Sequence, residues 1–376
     1  MHDFKSPGGV LAYLKGTRFV ATYVQLLSGG NSAFTYRVLL ESPLETGEAS
    51  IVIKHFEGYL SGHESVKWDV QRADHEYKAL SAIATSGLFD SDSTVQLPVP
   101  LEYDQETHTI FMTDLGSPLP ITQVLEQGFS GEFLDSSGSS EFDQVRELAQ
   151  TIGWALGDFV GRFHNWSALP EQSELRAYFS LNPSVIQQCV YIHHLCLNLA
   201  ADRFQMRETW MDELIAKEQQ EALAGGDVLV MGDCSLHNLL VSPPSANCGM
   251  RIYLTDLEMT RASYPELDVG ELTATVLSFT RLCSSSAENP LITALHQAYR
   301  RHRSLDSRRM AIATGTDLMG LGTVLPWATN QNETKLRELA VAGLELLKSS
   351  VKGDESFIKT NPVLRHLFLP QSQQIL

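Results

Sequence analysis

The sequence predicts an α+β chain in two lobes, a small β-rich N-terminal lobe and a larger helical C-terminal lobe. Three observations carry this expectation. The first hundred or so residues read as strands around one helix. The texture changes after Met112-Thr113-Asp114-Leu115-Gly116. Beyond that point apolar stripes at helical spacing dominate, with a few short apolar strands between them. The expected boundaries are residues 1–112 for the first lobe, 113–116 for a hinge and 117–376 for the second lobe.

Phe19 to Leu27 is rich in β-branched and aromatic residues, as are Thr35–Leu40 and Ser50–His55, so all three read as strands. Val66, Val70, Ala73, Tyr77, Leu80 and Ile83 recur every three or four residues and predict an amphipathic helix that ends at Gly87. Leu101–Asp104 and Thr107–Met112 read as a hairpin. Residues 128–141, with Gly-Phe-Ser-Gly and Ser-Ser-Gly-Ser-Ser, read as a flexible loop. Val145, Leu148, Ile152, Ala155, Phe159 and Phe163 form the stripe of a long helix, and Ile186–Leu199 and Lys335–Leu347 suggest two more. Val228–Met231, Leu239–Val241 and Ile252–Thr255 are strands, and a further helix follows Tyr264-Pro265. The cleft of a two-lobed protein is the usual place for a ligand.

Lys plus Arg number 28 and Asp plus Glu 45, for a formal charge of −17. That field disfavours nucleic acid and anionic membranes as partners and suits a cationic substrate, although acidity also serves solubility alone. No run of 18 apolar residues is present, so no spanning helix is expected. The N-terminus lacks a signal pattern, and five scattered cysteines form no CxxC pair, as in a reduced cytoplasmic protein. Oligomeric state is left open, with a monomer favoured.

The segment Val230-Met231-Gly232-Asp233-Cys234-Ser235-Leu236-His237-Asn238 is the most informative. An Asp, an Asn five residues on, and Asp256 at the tip of the next strand are the carboxylate and amide set that phosphoryl transfer needs. Asp233 can accept a hydroxyl proton. Asn238 and Asp256 can hold Mg2+, which prefers oxygen ligands. Leu27-Ser28-Gly29-Gly30-Asn31-Ser32 joins two strands and could cradle phosphate, although Gly-Gly between strands is more often a plain turn. Lys54 ends an apolar strand and calls for a partner or a phosphate. Glu76 on the following helix can pair with it, or with Arg72 at i, i+4. Glu258 could reach a metal or a substrate amine, or be a surface acid. Trp327 could stack on a substrate, or be core. Asp268 reads as a helix cap or a brace for the loop of Asp233. His164 reads as a residue at a helix end, and Cys234 as an incidental thiol.

Leu27-Ser28-Gly29-Gly30, Ile53-Lys54-His55, the Phe159–Asn165 segment, Leu229–Asp233 and Arg251–Glu258 together resemble the aminoglycoside phosphotransferase and choline kinase-like superfamily. The similarity is greatest to its methylthioribose kinase-like fungal branch and runs from about residue 10 to about residue 350. The resemblance implies a bilobal protein-kinase-like fold. It places ATP under Gly29, Gly30, Asn31 and Ser32, with adenine at Met112–Asp114. Lys54 would face the phosphates, held by Glu76. Asp233 would be the base, and Asn238 and Asp256 the magnesium ligands. Met231 stands where many members have His, and His237 where Gly is common.

The function expected is ATP- and Mg2+-dependent phosphorylation of a hydroxyl group on a small molecule, an amine-bearing metabolite by preference. Two alternatives are carried with it. One is a kinase-fold protein that binds nucleotide without transferring phosphate. The other is an ATP-using enzyme with another product, by adenylyl transfer or ligation.

Overall fold

The computed structural model describes residues 2–27, 30, 32–128, 141–245, 248–283 and 289–369. The flexible-loop expectation for 128–141 falls almost wholly outside them, as do Gly29 and Asn31. The chain divides into two compact units. The first comprises Met1–Gly87, Leu97–Ser117 and Thr255–Met259, and the second comprises Leu88–Gln96, Pro118–Leu254 and Thr260–Leu376.

The first unit is built on an antiparallel five-stranded sheet. Its strands are β1 (Ala21–Leu26), β2 (Phe34–Leu40), β3 (Ser50–His55), β4 (Pro100–Asp104) and β5 (Thr109–Thr113), in the order β1-β2-β3-β5-β4. Helix α1 (Pro7–Leu14) starts at an N-cap, where Ser6 Oγ accepts from Gly9 N–H at 3.2 Å. Val10 and Leu14 on α1 join Phe19, Tyr36, Ile51, Ile53 and Phe111 in one core. Val52 and Lys54 alternate with Ile51 and Ile53 along β3, and all four are buried. A central strand covered on both faces reads as the continuous apolar run seen in the sequence, with Lys54 as its one charge.

Helix α2 (Arg72–Ala84) begins later than the periodicity suggests. Val66 lies in a strand, His63–Lys67, that pairs with Tyr59–Leu60, and Val70 precedes the helix. The Asp69 side chain accepts from Gln71 N–H at 2.9 Å and starts the turn there. Periodic apolar residues continued the helical pattern by chance across a hairpin whose strand is exposed throughout.

The second unit is mostly helical. Helix α3 (Glu141–Ala168) is followed by α4 (Pro183–Arg203) and α5 (Trp210–Ala224). Strands β6 (Val228–Val230), β7 (Leu239–Ser242), β8 (Arg251–Leu254) and β9 (Arg261–Ser263) come next, and then α6 (Glu266–Cys283), α7 (Pro290–Tyr299), α8 (Ser307–Met319) and α9 (Glu333–Lys352). β6 pairs antiparallel with β9, and β7 with β8. Val95–Gln96 adds parallel to β8, and Leu119–Pro120 adds to β7. α3 packs along α7, and α8 packs between α6 and α9. α6 buries nearly every residue it has, including Glu266, Asp268 and Glu271. No helix among the described residues is long and apolar enough to cross a membrane.

Candidate active site

In the first unit β3 delivers Lys54 to one spot and α2 delivers Glu76 to it. Lys54 Nζ donates to Glu76 Oε2 at 2.6 Å and to Asp256 Oδ1 at 2.7 Å. Burial works against the lysine charge, but Asp256, Glu76 and Glu258 outweigh it and raise the Lys54 pKa. Burial pushes the Glu76 carboxyl up, against the pull of Lys54. Glu258 is only 5% exposed. Burial and the neighbouring Asp256 push its pKa up to about 8, while Lys54 and Arg72 hold it down. Arg72 therefore faces Glu258, with Nε 3.5 Å from Oε2.

Carboxylate oxygens of Glu76, Asp256 and Glu258 lie within 4.8 Å of one another. Glu258 Oε2 is buried without a hydrogen-bond partner among the described residues. An all-oxygen donor set with an unfilled acceptor suits a hard divalent cation. Asp256 holds φ at +66°, the left-handed region that Asp tolerates better than most residues.

The other nucleotide-site expectations in this unit lie as follows. Gly30 has open space where a Cβ would stand. The Ser32 carbonyl accepts from Arg72 Nη2 at 2.9 Å. Met112 is buried on β5, opposite Val52. The Asp114 carboxylate is fully engaged: Arg37 Nε and Nη2 donate to it at 2.8 and 3.0 Å, and Ser50 Oγ and Gly116 N–H at 2.8 and 3.0 Å. These bonds fix the Asp114 side chain against β2, β3 and Gly116.

In the second unit the turn after β6 carries Asp233. Gly232 takes φ +81°, a conformation that suits glycine. The Asp268 carboxylate, fully buried on α6, accepts from Met231 N–H at 2.8 Å and Gly232 N–H at 3.0 Å. The brace expected of Asp268 is the role it plays. His164 is part of the same device. Its Nε2 lies 3.1 Å from Asp268 and its Nδ1 2.9 Å from the Tyr299 hydroxyl. His164 is therefore no helix-end residue; α3 runs four residues past it, and the ring is buried.

Asn238 lies in a one-turn 3-10 helix and its Nδ2 donates back to the Asp233 carbonyl at 3.0 Å. That bond closes the loop and orients the amide. His237 is exposed. Cys234 is buried, and burial pushes its thiol well above the ordinary range, which makes it inert. Trp327 donates from Nε1 to Ser278 Oγ at 2.9 Å and meets Phe279 edge-on at 5.8 Å, so both its ring and its N–H are used within this unit.

A cavity of about 70 Å³ opens beside Gly232, lined by His193, Arg261, Glu271, Thr316 and Asp317 among others. His193 Nδ1 lies 2.7 Å from Asp317 Oδ1. Glu271 Oε1 has no hydrogen-bond partner among the described residues. Burial pushes the Glu271 carboxyl well up, and the charges of Asp233, Asp317 and Asp268 push it further. Sequence reading missed this group. Its signal was three acids spaced within six residues at the start of a helix whose other charge is Arg281 alone.

The sequence comparisons agree with this chemistry. The chain is 25% identical over 274 residues to a 4-hydroxytryptamine kinase of Psilocybe cyanescens, covering 71% of this chain and 72% of that one. This chain is a relative of small-molecule kinases. It is 24% identical over 306 residues to the 4-hydroxytryptamine kinase of Psilocybe cubensis, covering 79% of each. A solved choline/ethanolamine kinase family protein from Mesorhizobium loti aligns with 96% of this chain and 97% of its own, at 13% identity and a TM-score of 0.45. No family model matches. The resemblance to the aminoglycoside phosphotransferase and choline kinase-like superfamily thus has named kinase relatives behind it, and the enzyme class is that of a small-molecule phosphotransferase.

Proposed function

We propose that the protein is an ATP- and Mg2+-dependent kinase that phosphorylates a hydroxyl group on an amine-bearing small molecule. The observation that carries this reading is the Lys54–Glu76–Asp256 array, a buried lysine held by two carboxylates at 2.6 and 2.7 Å. In a kinase such a lysine faces nucleotide phosphate and its glutamate orients it.

Asp233 would take the proton of the acceptor hydroxyl as its oxygen bonds to the γ-phosphorus and the bond to the ADP oxygen breaks. The products would be a phosphate ester and ADP. Lys54 would place its ammonium against phosphate oxygens. Asn238 and Asp256 would hold magnesium, and Glu258 lies close enough to Asp256 to share that task. Bound magnesium would neutralise charge on the phosphates. Asp268 keeps the Asp233 turn in place through two backbone N–H groups, and positioning is most of what the protein supplies in this chemistry.

The amine preference has support from three sides. The chain carries −17. Glu271 presents an unfilled, buried oxygen in the cavity beside Gly232, and a cation there would stabilise its charged form. The named relatives are kinases of a hydroxylated amine. The described cysteines are free, three of them buried, which suits a cytoplasmic setting.

The test is a screen of hydroxylated amines with ATP and magnesium, read by mass spectrometry. An acceptor that gains one phosphate while ADP forms supports the reading. AMP as the nucleotide product would replace it with adenylyl transfer or ligation.

A further inference from the structure

Among the described residues Arg72 is the largest side chain buried completely, at 0% exposure, and no catalytic role accounts for it. Its guanidinium meets backbone carbonyls from three separate segments. Nη1 donates to Glu57 O at 3.0 Å, Asp69 O at 2.9 Å and Trp68 O at 3.4 Å. Nη2 donates to Ser32 O at 2.9 Å and Tyr59 O at 3.1 Å. The Phe56 ring lies under it at 5.2 Å. The remaining donor, Nε, faces Glu258 Oε2 at 3.5 Å, and neither atom has a hydrogen-bond partner among the described residues.

These contacts fall on the segments around the candidate nucleotide-site residues. Ser32 ends the Gly-Gly loop. Glu57 and Tyr59 follow β3, which carries Lys54. Trp68 and Asp69 precede α2, which carries Glu76. Glu258 follows Asp256 by two residues. Burying a guanidinium is costly, and a well-packed apolar residue would serve stability as well or better. Only a planar fork with five donors can hold so many acceptors in fixed directions at once.

We propose that Arg72 is a positioning residue for magnesium-nucleotide binding, clamping the end of the Gly-Gly loop and Glu258 to the segments that bear Lys54 and Glu76. This rests on the kinase reading for the identity of the ligand. The clamp acts through other groups and touches no phosphate itself. Lysine at this position keeps the charge but has three donors on a single nitrogen and loses the fork.

The test is calorimetric titration of ATP with magnesium into the wild type, Arg72→Lys and Arg72→Ala, at a temperature where melting curves show each to be folded. The expected result is a loss of about tenfold or more in affinity for both variants, with Arg72→Ala partly restored by added guanidinium ion and unchanged by ammonium. A residue that merely filled the core would lower the melting temperature and leave affinity alone. Wild-type affinity in Arg72→Lys would overturn the proposal while the kinase reading stood. A wild type that binds no ATP would overturn both. Should neither variant fold, amide exchange of the wild type decides. ATP with magnesium should slow exchange around Ser32, Tyr59 and Asp69 together, and slowing confined to the loop would overturn the clamp.

Discussion

Lys54 is the residue proposed to face nucleotide phosphate, and its surroundings set what a substitution does. Removing the ammonium would leave Glu76, Asp256 and Glu258 near one another without it. We expect Lys54→Met to cost roughly 3 kcal/mol of stability, the usual cost of breaking one side of a buried pair. The chain should remain folded, because domain stabilities run to about 5–15 kcal/mol. Phosphoryl transfer should fall about 100-fold or more. Turnover measured well below the melting temperature checks this, and wild-type turnover would make Lys54 a structural ion. At Asp233 the expectation is different. Asp233→Asn should keep magnesium-dependent ATP binding while Asp256→Ala loses it. Equal loss of nucleotide affinity in the two variants would reject the division between base and metal ligand.

His296 gives a pH prediction at the same scale. It is fully buried on α7, with Nε2 2.8 Å from Thr273 Oγ1. Burial lowers its pKa to about 3, from an ordinary value of 6.5. The unfolded chain therefore binds this proton more readily than the folded one between those values. The stability His296 contributes is present above pH about 6.5 and is lost as pH falls toward about 3. A variant without the titrating ring, His296→Gln, should lose melting temperature less steeply with acid than the wild type. Parallel slopes would show that this residue does not set the acid limit.

Among the elements, the strands were the most legible in sequence. Three runs of β-branched and aromatic residues match β1, β2 and β3 to within two residues; β2 and β3 lie inside the sheet, where burial sets the apolar pattern, and the edge strand β1 is marked by its β-branched and aromatic residues alone. α2 was extended too far because Val66 and Val70 happened to keep its period. α1, α5, α7, α8 and β9 have no counterpart among the elements read from the sequence. α8 in particular is buried all round, and a helix without a polar face shows no periodicity to read.

The α3–α7 pair shows how an element contact is specified by what is missing. Gly153, Gly157 and Gly161 lie four apart on α3. A Cβ on Gly157 would stand 2.2 Å from the Leu295 carbonyl oxygen, and one on Gly153 2.3 Å from that of Leu291. The neighbour is backbone and cannot step aside. Gly157→Ala should therefore destabilise by about 1–3 kcal/mol, the usual cost of overpacking, although alanine is the better helix former. Denaturant titration checks the sign. A stabilised variant would mean that the helices separate without cost.

On the scale of the whole molecule, the candidate chemistry rests on residue type and spacing, which the sequence shows directly, and packing does not. Asp233, Asn238 and Asp256 are proposed on that basis, since phosphoryl transfer admits few substitutes for a carboxylate and an oxygen-bearing amide. What the sequence hid is whatever depends on distant residues meeting. The Asp268–His164–Tyr299 brace joins positions more than a hundred residues apart. Arg72 reads in sequence as an ordinary helix pair for Glu76, and only the fold shows it facing Glu258 and five carbonyls. Glu271 looks like a surface acid until α6 is seen to be buried.

The proposed reaction moves a phosphoryl group from ATP to an acceptor oxygen, with Asp233 as base. The most direct measurement is product analysis of one reaction run with wild type and with Asp233→Asn, using the acceptor found by the screen, ATP and magnesium. The expected result is ADP and an O-phosphorylated acceptor in equal amounts from the wild type, and roughly 100-fold or more slower formation of both from the variant. AMP in place of ADP, or an undiminished rate in Asp233→Asn, would contradict it.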